Sequence, residues 1–231
     1  MTLDQLVEFR NYTLVPDAAE PFVAHFEQHF LASQEALGMD IVGQFTVPGD
    51  DARFVWIRRF RQPEGRSTAL QTFYTSPVWK EFGPRANELM VDVSDVYLLR
   101  PDPSSPAFGD DHLPHAERPG PATDRTASTV VAAVYDLDGL DEVPAGLAEA
   151  MTTAVRASEG TGLVEHGRLV TAAVVNDFPA LPVHEDGTVA LWLLSAPGAG
   201  EAAGAAVDQV ADQWSPSRRI ELTPTPRSTV H

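Results

Sequence analysis

Cysteine is absent from this chain of 231 residues. Without thiols the protein cannot form disulfides, use a thiolate nucleophile, or hold iron–sulfur clusters and thiolate-bound metals. Any site must therefore be built from oxygen and nitrogen groups and from aromatic rings.

Positive charge is also scarce, with 16 basic residues against 33 acidic ones and a formal net charge of -17. Such a chain repels phosphate backbones and anionic lipid surfaces, so we expect neither a nucleic-acid partner nor a membrane partner. The simplest use of this acidity is solubility.

Long apolar runs are missing, since no stretch approaches the roughly 20 residues that cross a bilayer. The start of the chain shows no basic stretch followed by an apolar run, as a signal peptide would have. These absences predict a cytoplasmic protein. The chain also lacks a Walker A motif and a Gly-x-Gly-x-x-Gly after a strand, which disfavours nucleotide-driven chemistry. It has no Gly-x-Ser-x-Gly nucleophile elbow either. We predict no cofactor.

The first half of the sequence predicts an alternation of strands and helices. Asp17 with Glu20 is typical of a helix N-cap, and Gly38 of a helix stop. Gly83-Pro84 predicts a kink or break in a later helix. The predicted strands are Leu6 to Leu14, Ile41 to Val47, Phe54 to Phe60 and Val93 to Arg100. The first predicted helix carries Phe22, Phe26 and Phe30 in one apolar stripe. A second helical region covers about Arg66 to Met90, with a new N-cap at Ser76.

The same order recurs after a segment rich in proline, glycine and aspartate. We predict a first domain at residues 1–101, a linker at 102–126 and a second, degenerate domain at 127–231. Strand, helix, strand, strand, helix, strand in each half indicates tandem ferredoxin-like units. The fold class is thus α+β. The second-half strands are predicted at Thr129 to Leu137, Leu163 to Val175, Thr188 to Ser195 and Arg219 to Thr225.

Both faces of the first sheet carry large apolar side chains. Val55 and Ile57 point one way along the third strand, whereas Phe54, Trp56 and Phe60 point the other way. One face is covered by helices, so the other needs a companion layer. We expect the two units to pack sheet to sheet as an intrachain pseudo-dimeric barrel. A homodimer could supply the same cover, and pairing of two pseudo-dimers is left open.

Polar and aromatic side chains share one side of these strands. We predict that this side faces the partner sheet and lines an inter-sheet cavity for a small molecule. Glu8 is the candidate acid or base, Arg10 and Arg58 would hold an anionic oxygen, and aromatic rings would stack on a flat ligand. The candidate ligand-binding residues are Arg10, Tyr12, Gln44, Trp56 and Arg58. The alternative interpretation is a structural network of buried ion pairs that fixes how the halves dock.

Other groups are weaker candidates. His25 and His29 have the spacing of a metal-binding pair, but no third ligand is evident, and we interpret them as boundary histidines. Further possible ligands fall in the linker, where nothing fixes their geometry, and we predict no metal site. The linker residues are Asp110, Asp111, His112 and His115; His166 and Arg168, on a second-half strand, could face the patch of the first half.

Several stretches resemble the NIPSNAP family of the dimeric α/β-barrel superfamily. Those of the first half run from Val7 to Leu14, from Arg53 to Phe60 and from Val96 to Arg100, and the second half resembles the partner domain of bacterial two-domain members at Asn176 to Val183 and Leu222 to Ser228. Phe9 replaces the smaller aliphatic residue expected in the Glu-x-Arg motif. The resemblance implies a fold but carries over no catalytic residue, because the superfamily includes monooxygenases, isomerases, haem enzymes and ligand-sensing domains.

Two functions are compatible with these patterns. The first is binding or transformation of a small apolar or aromatic metabolite, in a monooxygenase-like or isomerase-like way. The second is a noncatalytic binding or scaffold protein whose buried polar patch is structural.

Overall fold

The computed structural model describes residues 4–103, 108 and 128–230. These residues form an α+β fold of nine strands, six α-helices and a short 3-10 turn at Pro63–Gly65. The strands are β1 (Leu6–Leu14), β2 (Met39–Val47), β3 (Asp50–Phe60), β4 (Met90–Asp92), β5 (Val96–Pro101), β6 (Ser128–Asp136), β7 (Val164–Thr171), β8 (Val189–Pro197) and β9 (Arg218–Pro224). The helices are α1 (Ala19–His29), α2 (Leu31–Glu35), α3 (Arg66–Thr75), α4 (Pro77–Leu89), α5 (Ala145–Ala157) and α6 (Glu201–Ala211).

Eight antiparallel strands close into a barrel in the order β1-β3-β2-β9-β6-β8-β7-β5, and β5 returns to β1. The two halves of the chain meet at two seams. At one, Phe45 and Thr46 of β2 pair with Pro224 and Thr223 of β9. At the other, residues 99–101 of β5 pair with residues 169–171 of β7. The halves are therefore joined through backbone ladders as well as through side chains.

Three apolar clusters fill the molecule. The barrel interior mixes both halves, with Val7 and Phe9 packed together with Leu193 and Leu222. A second cluster lies between the first-half strands and helices α1 to α4. A third lies between the second-half strands and helices α5 and α6. Because the interior cluster belongs to neither half alone, the barrel is a shared core.

Part of the predicted linker also contributes to this core. Phe108 is buried in the barrel interior, and its carbonyl oxygen accepts a hydrogen bond of 2.6 Å from Arg59 Nη1. The domain boundaries themselves stay a prediction.

Local signals in the sequence placed two helix ends. Gly38 has a φ of 81°, a conformation that favours glycine, and lies three residues after the last residue of α2. Ser76 caps α4, its side chain accepting a hydrogen bond from the Trp79 amide. One predicted detail is wrong: Asp17 does not cap α1, because Ala18 occupies the N-cap position and Asp17 adopts a φ of 61°. Of the kink or break predicted at Gly83-Pro84, the break does not occur, because α4 continues through Pro84.

The predicted facing of the first sheet is also wrong. Val7 and Phe9, with Val55 and Ile57, line the barrel interior. The even-numbered residues of β1 and β3 point instead to helices α1 to α4, so the predicted inter-sheet cavity does not contain the polar patch. Both faces carry large side chains, and strand alternation separates the two sets without saying which one meets the helices.

Candidate functional site

A cavity of about 360 Å3 lies between the first-half strands and their helices. Ligand pockets occupy roughly 300–1,000 Å3, so this cavity has room for a small molecule. Helix α1 supplies its phenylalanine stripe, α3 and α4 supply further rings, and the strands supply its floor. The lining residues are Tyr12, Phe22, Phe26, Phe30, Gln34, Trp56, Phe73, Tyr74, Trp79, Ala86, Asn87, Met90, Val93, Phe178, Ala180 and Leu181.

The rings around the cavity meet mainly edge to face. Tyr12 and Trp56 lie 5.9 Å apart between centroids at an interplanar angle of 81°. Phe26 contacts Trp56 at 5.0 Å, and Phe30 contacts Trp79 at 5.4 Å. Such contacts give aromatic walls a defined geometry. The cavity therefore favours flat, apolar ligands.

Next to the cavity, three guanidinium groups surround one carboxylate; we name Glu8, Arg10, Arg58 and Arg66 the arginine cluster. Glu8 Oε2 accepts from Arg10 Nη1 at 2.7 Å and from Arg58 Nη2 at 2.5 Å, and Glu8 Oε1 accepts from Arg66 Nε at 2.8 Å. All four side chains are buried. Glu8 lies directly opposite Arg58 in the β1–β3 register. Arg66 reaches the pair from the first turn of α3.

The cluster keeps Glu8 ionised. Burial alone would raise the pKa of Glu8, but Arg58, Arg10 and Arg66 lower it far below its usual range. Glu8 does not line the cavity, and both of its oxygens are engaged. This geometry gives no support to Glu8 as a catalytic base.

One hydrogen bond connects the arginine cluster to the cavity. Arg10 Nε donates to the Tyr12 hydroxyl oxygen at 2.9 Å. The cation thus occupies an acceptor position of the phenol and leaves its O–H free to donate to a ligand. Trp56 Nε1 is buried and has no partner among the described residues. Arg58 Cζ also lies 5.0 Å from the centre of the Trp56 ring.

The far wall of the cavity comes from the second half of the chain. Residues 172–188, which we name the strap, leave β7 and cross over the first half before β8. The Ala172 amide donates to Leu98 O and the His184 amide to Val96 O, so the strap runs beside β5. Phe178, Ala180 and Leu181 line the cavity. Sequence analysis did not identify these residues as part of the site. It predicted the beginning of the strap as strand, because the Ala172 to Val175 run is apolar. Pro179 and Pro182 were the available signal for a loop.

The structure separates the predicted binding residues into three groups. Tyr12 and Trp56 line the cavity, whereas Arg10 and Arg58 are buried next to them and do not line it. Gln44 lies elsewhere, beside the C-terminal segment, where its backbone carbonyl accepts from the Thr225 amide and its backbone amide donates to Ser228 Oγ.

The histidines outside the cavity have structural partners. His25 Nε2 lies 2.9 Å from Phe82 O, and His29 stacks on the Phe82 ring at 3.7 Å. Burial lowers the pKa of His29. His166 hydrogen-bonds with Ser195 Oγ at 2.8 Å, and Arg168 binds Glu165 and Thr152. Neither lines the cavity, contrary to the suggestion that they face the first-half patch.

The acidic and histidine cluster of the predicted linker, at residues 110–115, lies outside the described residues. Within the parts of the chain that the structure describes, no three His, Asp or Glu side chains come together as a metal site would require. In the same ranges, no helix combines the length and the apolar character needed to cross a membrane.

The closed ring of eight strands with helices outside it defines the chain as an α/β-barrel protein. Residues 7–106 match the NIPSNAP family model, so the predicted resemblance to this family is confirmed over that part of the chain. No curated protein matches the chain.

The chain is also similar to solved structures. A NIPSNAP-like domain protein from Burkholderia xenovorans is 26% identical and covers 48% of this chain and 93% of its own, with a TM-score of 0.41. A Fusobacterium nucleatum protein provisionally described as a monooxygenase is 9% identical and covers 97% of this chain and 94% of its own, with a TM-score of 0.55. An anthrone oxidase-like protein is 13% identical and covers 96% and 92%, with a TM-score of 0.54. The last two likenesses extend the barrel fold over the whole chain.

Proposed function

We propose that the protein binds a flat, apolar or aromatic metabolite that carries a carbonyl or phenolic oxygen, in the cavity beneath helices α1 to α4. One observation carries the proposal: Tyr12, held by the Arg10 cation, and Trp56, whose N–H has no partner within the described residues, lie side by side in an aromatic wall. Two donors in a largely apolar cavity wall would fix the orientation of a ligand through its oxygen.

The same donors suit a transformation of the ligand. A hydrogen bond from a phenol backed by a cation stabilises negative charge that develops on a carbonyl oxygen. Such stabilisation is needed both for isomerase-like proton transfer next to the carbonyl and for monooxygenase-like attack of dioxygen on the resulting carbanion. The proposal is therefore an enzyme of one of these two types, which works without a cofactor.

A noncatalytic binding protein is the second candidate. It is favoured by the composition of the cavity wall, in which the described lining residues include no carboxylate, histidine or lysine. Burial raises the pKa of Tyr74, so this residue also stays protonated and cannot serve as a base. The proton acceptor would then have to be the ligand itself or water.

Binding can be tested with two matched two-ring probes, 1-tetralone and tetralin, which differ by the carbonyl oxygen. We expect saturable quenching of tryptophan fluorescence by both, with tighter binding of 1-tetralone. The Tyr12→Phe variant should weaken 1-tetralone binding by about three- to tenfold, the value of one hydrogen bond, and leave tetralin unchanged. Tyr97→Phe, which lies outside the cavity, is the control. Trp56→Phe removes the second donor and leaves the Arg10–Tyr12 hydrogen bond in place.

Absence of saturable binding, or an equal loss for both probes in Tyr12→Phe and in Trp56→Phe, would refute the site. Dioxygen uptake and product analysis with anthrone, a three-ring ketone, separate the two candidate functions. Turnover that is lost in Tyr12→Phe supports an enzyme, and binding without turnover or isomerisation supports the binding protein.

The barrel's construction supports a further part of the proposal, two ferredoxin-like units packed sheet to sheet. The second half has the element order strand, helix, strand, strand, helix, strand, and the first half has the same order when α1–α2 and α3–α4 are each counted as one helical segment and the short strand β4 is set aside. The strand order β5-β1-β3-β2 in the first half matches β9-β6-β8-β7 in the second when the main strands of each unit are numbered one to four. We place such a protein in the cytoplasm, without nucleic-acid or membrane partners, as its acidity and lack of cysteine suggest.

A further inference from the structure

We propose that the strap gates the cavity and sets the size of the ligand it accepts, with Phe178 as the specificity-determining residue and Asp177 as a positioning residue that holds the strap closed. The second half of the chain would then select the ligand that the first half binds. The ligand-size part rests on the function proposed above, whereas the gating part does not.

The inner side of the strap completes the cavity. The Phe178 ring stacks on Tyr74 at 5.9 Å and 17°, and Leu181 packs into the apolar cluster beneath the helices. The rings contributed by α1, α3 and α4 close the other sides. Phe178 is therefore the large side chain that limits the length of the cavity where the strap crosses it.

The outer side of the strap is tied down by polar contacts with Arg66. Arg66 Nη1 donates to Asn176 Oδ1 at 3.2 Å and forms an ion pair with Asp177. Asn176 in turn shapes the strap, since its Nδ2 donates to Leu181 O at 2.9 Å and its Oδ1 accepts from the Phe178 amide at 3.2 Å. A single guanidinium thus fixes the turn that places Phe178.

The Arg66–Asp177 contact can open without breaking the arginine cluster. The Arg66 side chain is buried and stays bound to Glu8, but the Asp177 side chain is 42% exposed. A partly exposed ion pair is weak compared with a buried one, because water replaces the lost partner. The strap can therefore lift at Asp177 while the floor of the cavity keeps its charges paired. Local opening of this kind requires far less than global unfolding.

The test uses a thiol, which is informative because the chain contains no cysteine. Ala86→Cys places the thiol in the cavity wall, at a side chain that is 1% exposed. The rate of labelling is measured with small methyl methanethiosulfonate and with bulky N-(1-pyrenyl)maleimide. Asp177→Asn in this background should raise both rates at least about fivefold, in proportion to the open population. Asp186→Asn, an exposed carboxylate on the same strap, is the matched control.

Phe178→Ala should act differently, because it widens the opening. It should raise the rate with the pyrenyl reagent more than the rate with the small one. A merely structural role would change both rates equally. A second reporter, Ala132→Cys in the barrel interior, detects global unfolding. Equal rates for Asp177→Asn and Asp186→Asn, or a parallel rise at the Ala132→Cys reporter, would overturn gating.

Ligand selection is then read from the ratio of anthrone affinity to 1-tetralone affinity. Phe178→Ala should shift this ratio towards the three-ring ketone by at least about threefold, which corresponds to a small part of a buried ring contact. An unchanged ratio would overturn Phe178 as the specificity determinant. If the wild-type protein binds neither ketone while labelling still responds to Asp177→Asn, the proposed function fails and the gate stands.

Discussion

Glu8 and Arg58 face each other across the β1–β3 ladder, and the carboxylate lies 2.5 Å from Arg58 Nη2 with both side chains fully buried. This pair and the two other arginines around Glu8 hold β1, β3 and α3 together next to the cavity. The geometry therefore favours the structural interpretation for the cluster itself, while the ligand-facing interpretation stays a proposal for Tyr12 and Trp56, which line the cavity.

Removing the central carboxylate should be costly. Glu8→Gln leaves the buried guanidinium groups of Arg10 and Arg58 without an anion and Arg66 with Asp177 alone, so we expect the free energy of unfolding to fall by about 3–5 kcal/mol. Urea denaturation followed by circular dichroism measures the loss. Glu88→Gln breaks the exposed Arg85–Glu88 pair and should change it by less than about 1 kcal/mol. A loss of similar size in the two variants would contradict a strut role for Glu8.

Stability should also depend on pH through Glu8. Its pKa in the folded protein is lowered, so the carboxylate stabilises the fold fully above its ordinary value of 4.5 and loses this contribution as the pH falls further. We expect the free energy of unfolding of the wild type to decline more steeply from pH 5 to pH 3 than that of Glu8→Gln. Burial raises the pKa of Asp95, but hydrogen bonds with Arg218 and His184 lower it further, so the net pKa is lowered. Asp95 therefore adds a decline in the free energy of unfolding at acidic pH in both proteins. Parallel pH profiles would assign the acid sensitivity to groups other than Glu8.

A methyl group at Gly83 should shrink the cavity. An added Cβ would lie 2.7 Å from two carbons of the Trp79 ring, one turn earlier in α4, so the ring must move. Trp79 packs against Phe30 and Tyr74 and lines the cavity, which offers it space. For Gly83→Ala we expect the free energy of unfolding to fall by about 1–3 kcal/mol because of overpacking. We also expect the ratio of anthrone affinity to 1-tetralone affinity to be lower than in the wild type.

The matched control is Gly146→Ala in α5, where the nearest atom to the added Cβ is 3.6 Å away. This helical glycine should tolerate alanine and gain about 0.5–1 kcal/mol. Thermal unfolding and probe titration of both variants provide the measurements. An unchanged ratio of the two affinities in Gly83→Ala would show that Trp79 moves away from the cavity.

Much of the fold could be predicted from local patterns. The stripe of Phe22, Phe26 and Phe30, the cap at Ser76 and the alternation along β1 each depend on neighbouring residues, and each was confirmed. The repeated element order also predicted a barrel made within one chain. Backbone pairing between the halves was not predicted, since register between distant strands is not a local property.

The candidate site was predicted only in part, for a physical reason. Tyr12 and Trp56 were named correctly as neighbours, but the side of the sheet was wrong because Val55 and Ile57 fill a barrel as well as they would fill a helix interface. Arg66 was missed because it approaches Glu8 from 58 residues away. Phe178 was missed because its role depends on a crossing between halves that no local pattern records.

The shared barrel core predicts that the two halves unfold together. Leu222 of β9 packs in the interior with Val7 and Phe9 of β1, so Leu222→Ala should cost about 2–5 kcal/mol and destabilise both halves at once. Trp56 and Trp79 report on the first half, and Trp192 and Trp214 on the second. Two reporter variants each retain one of these tryptophan pairs and carry phenylalanine in place of the other pair. Their denaturation midpoints should coincide with each other, both without and with Leu222→Ala. Leu140→Ala, at an exposed leucine, should leave the midpoints nearly unchanged. A first-half midpoint that stays in place while the second-half midpoint falls would mean that the halves are separate folding units, because a common core cannot lose a side chain in one half without weakening the other.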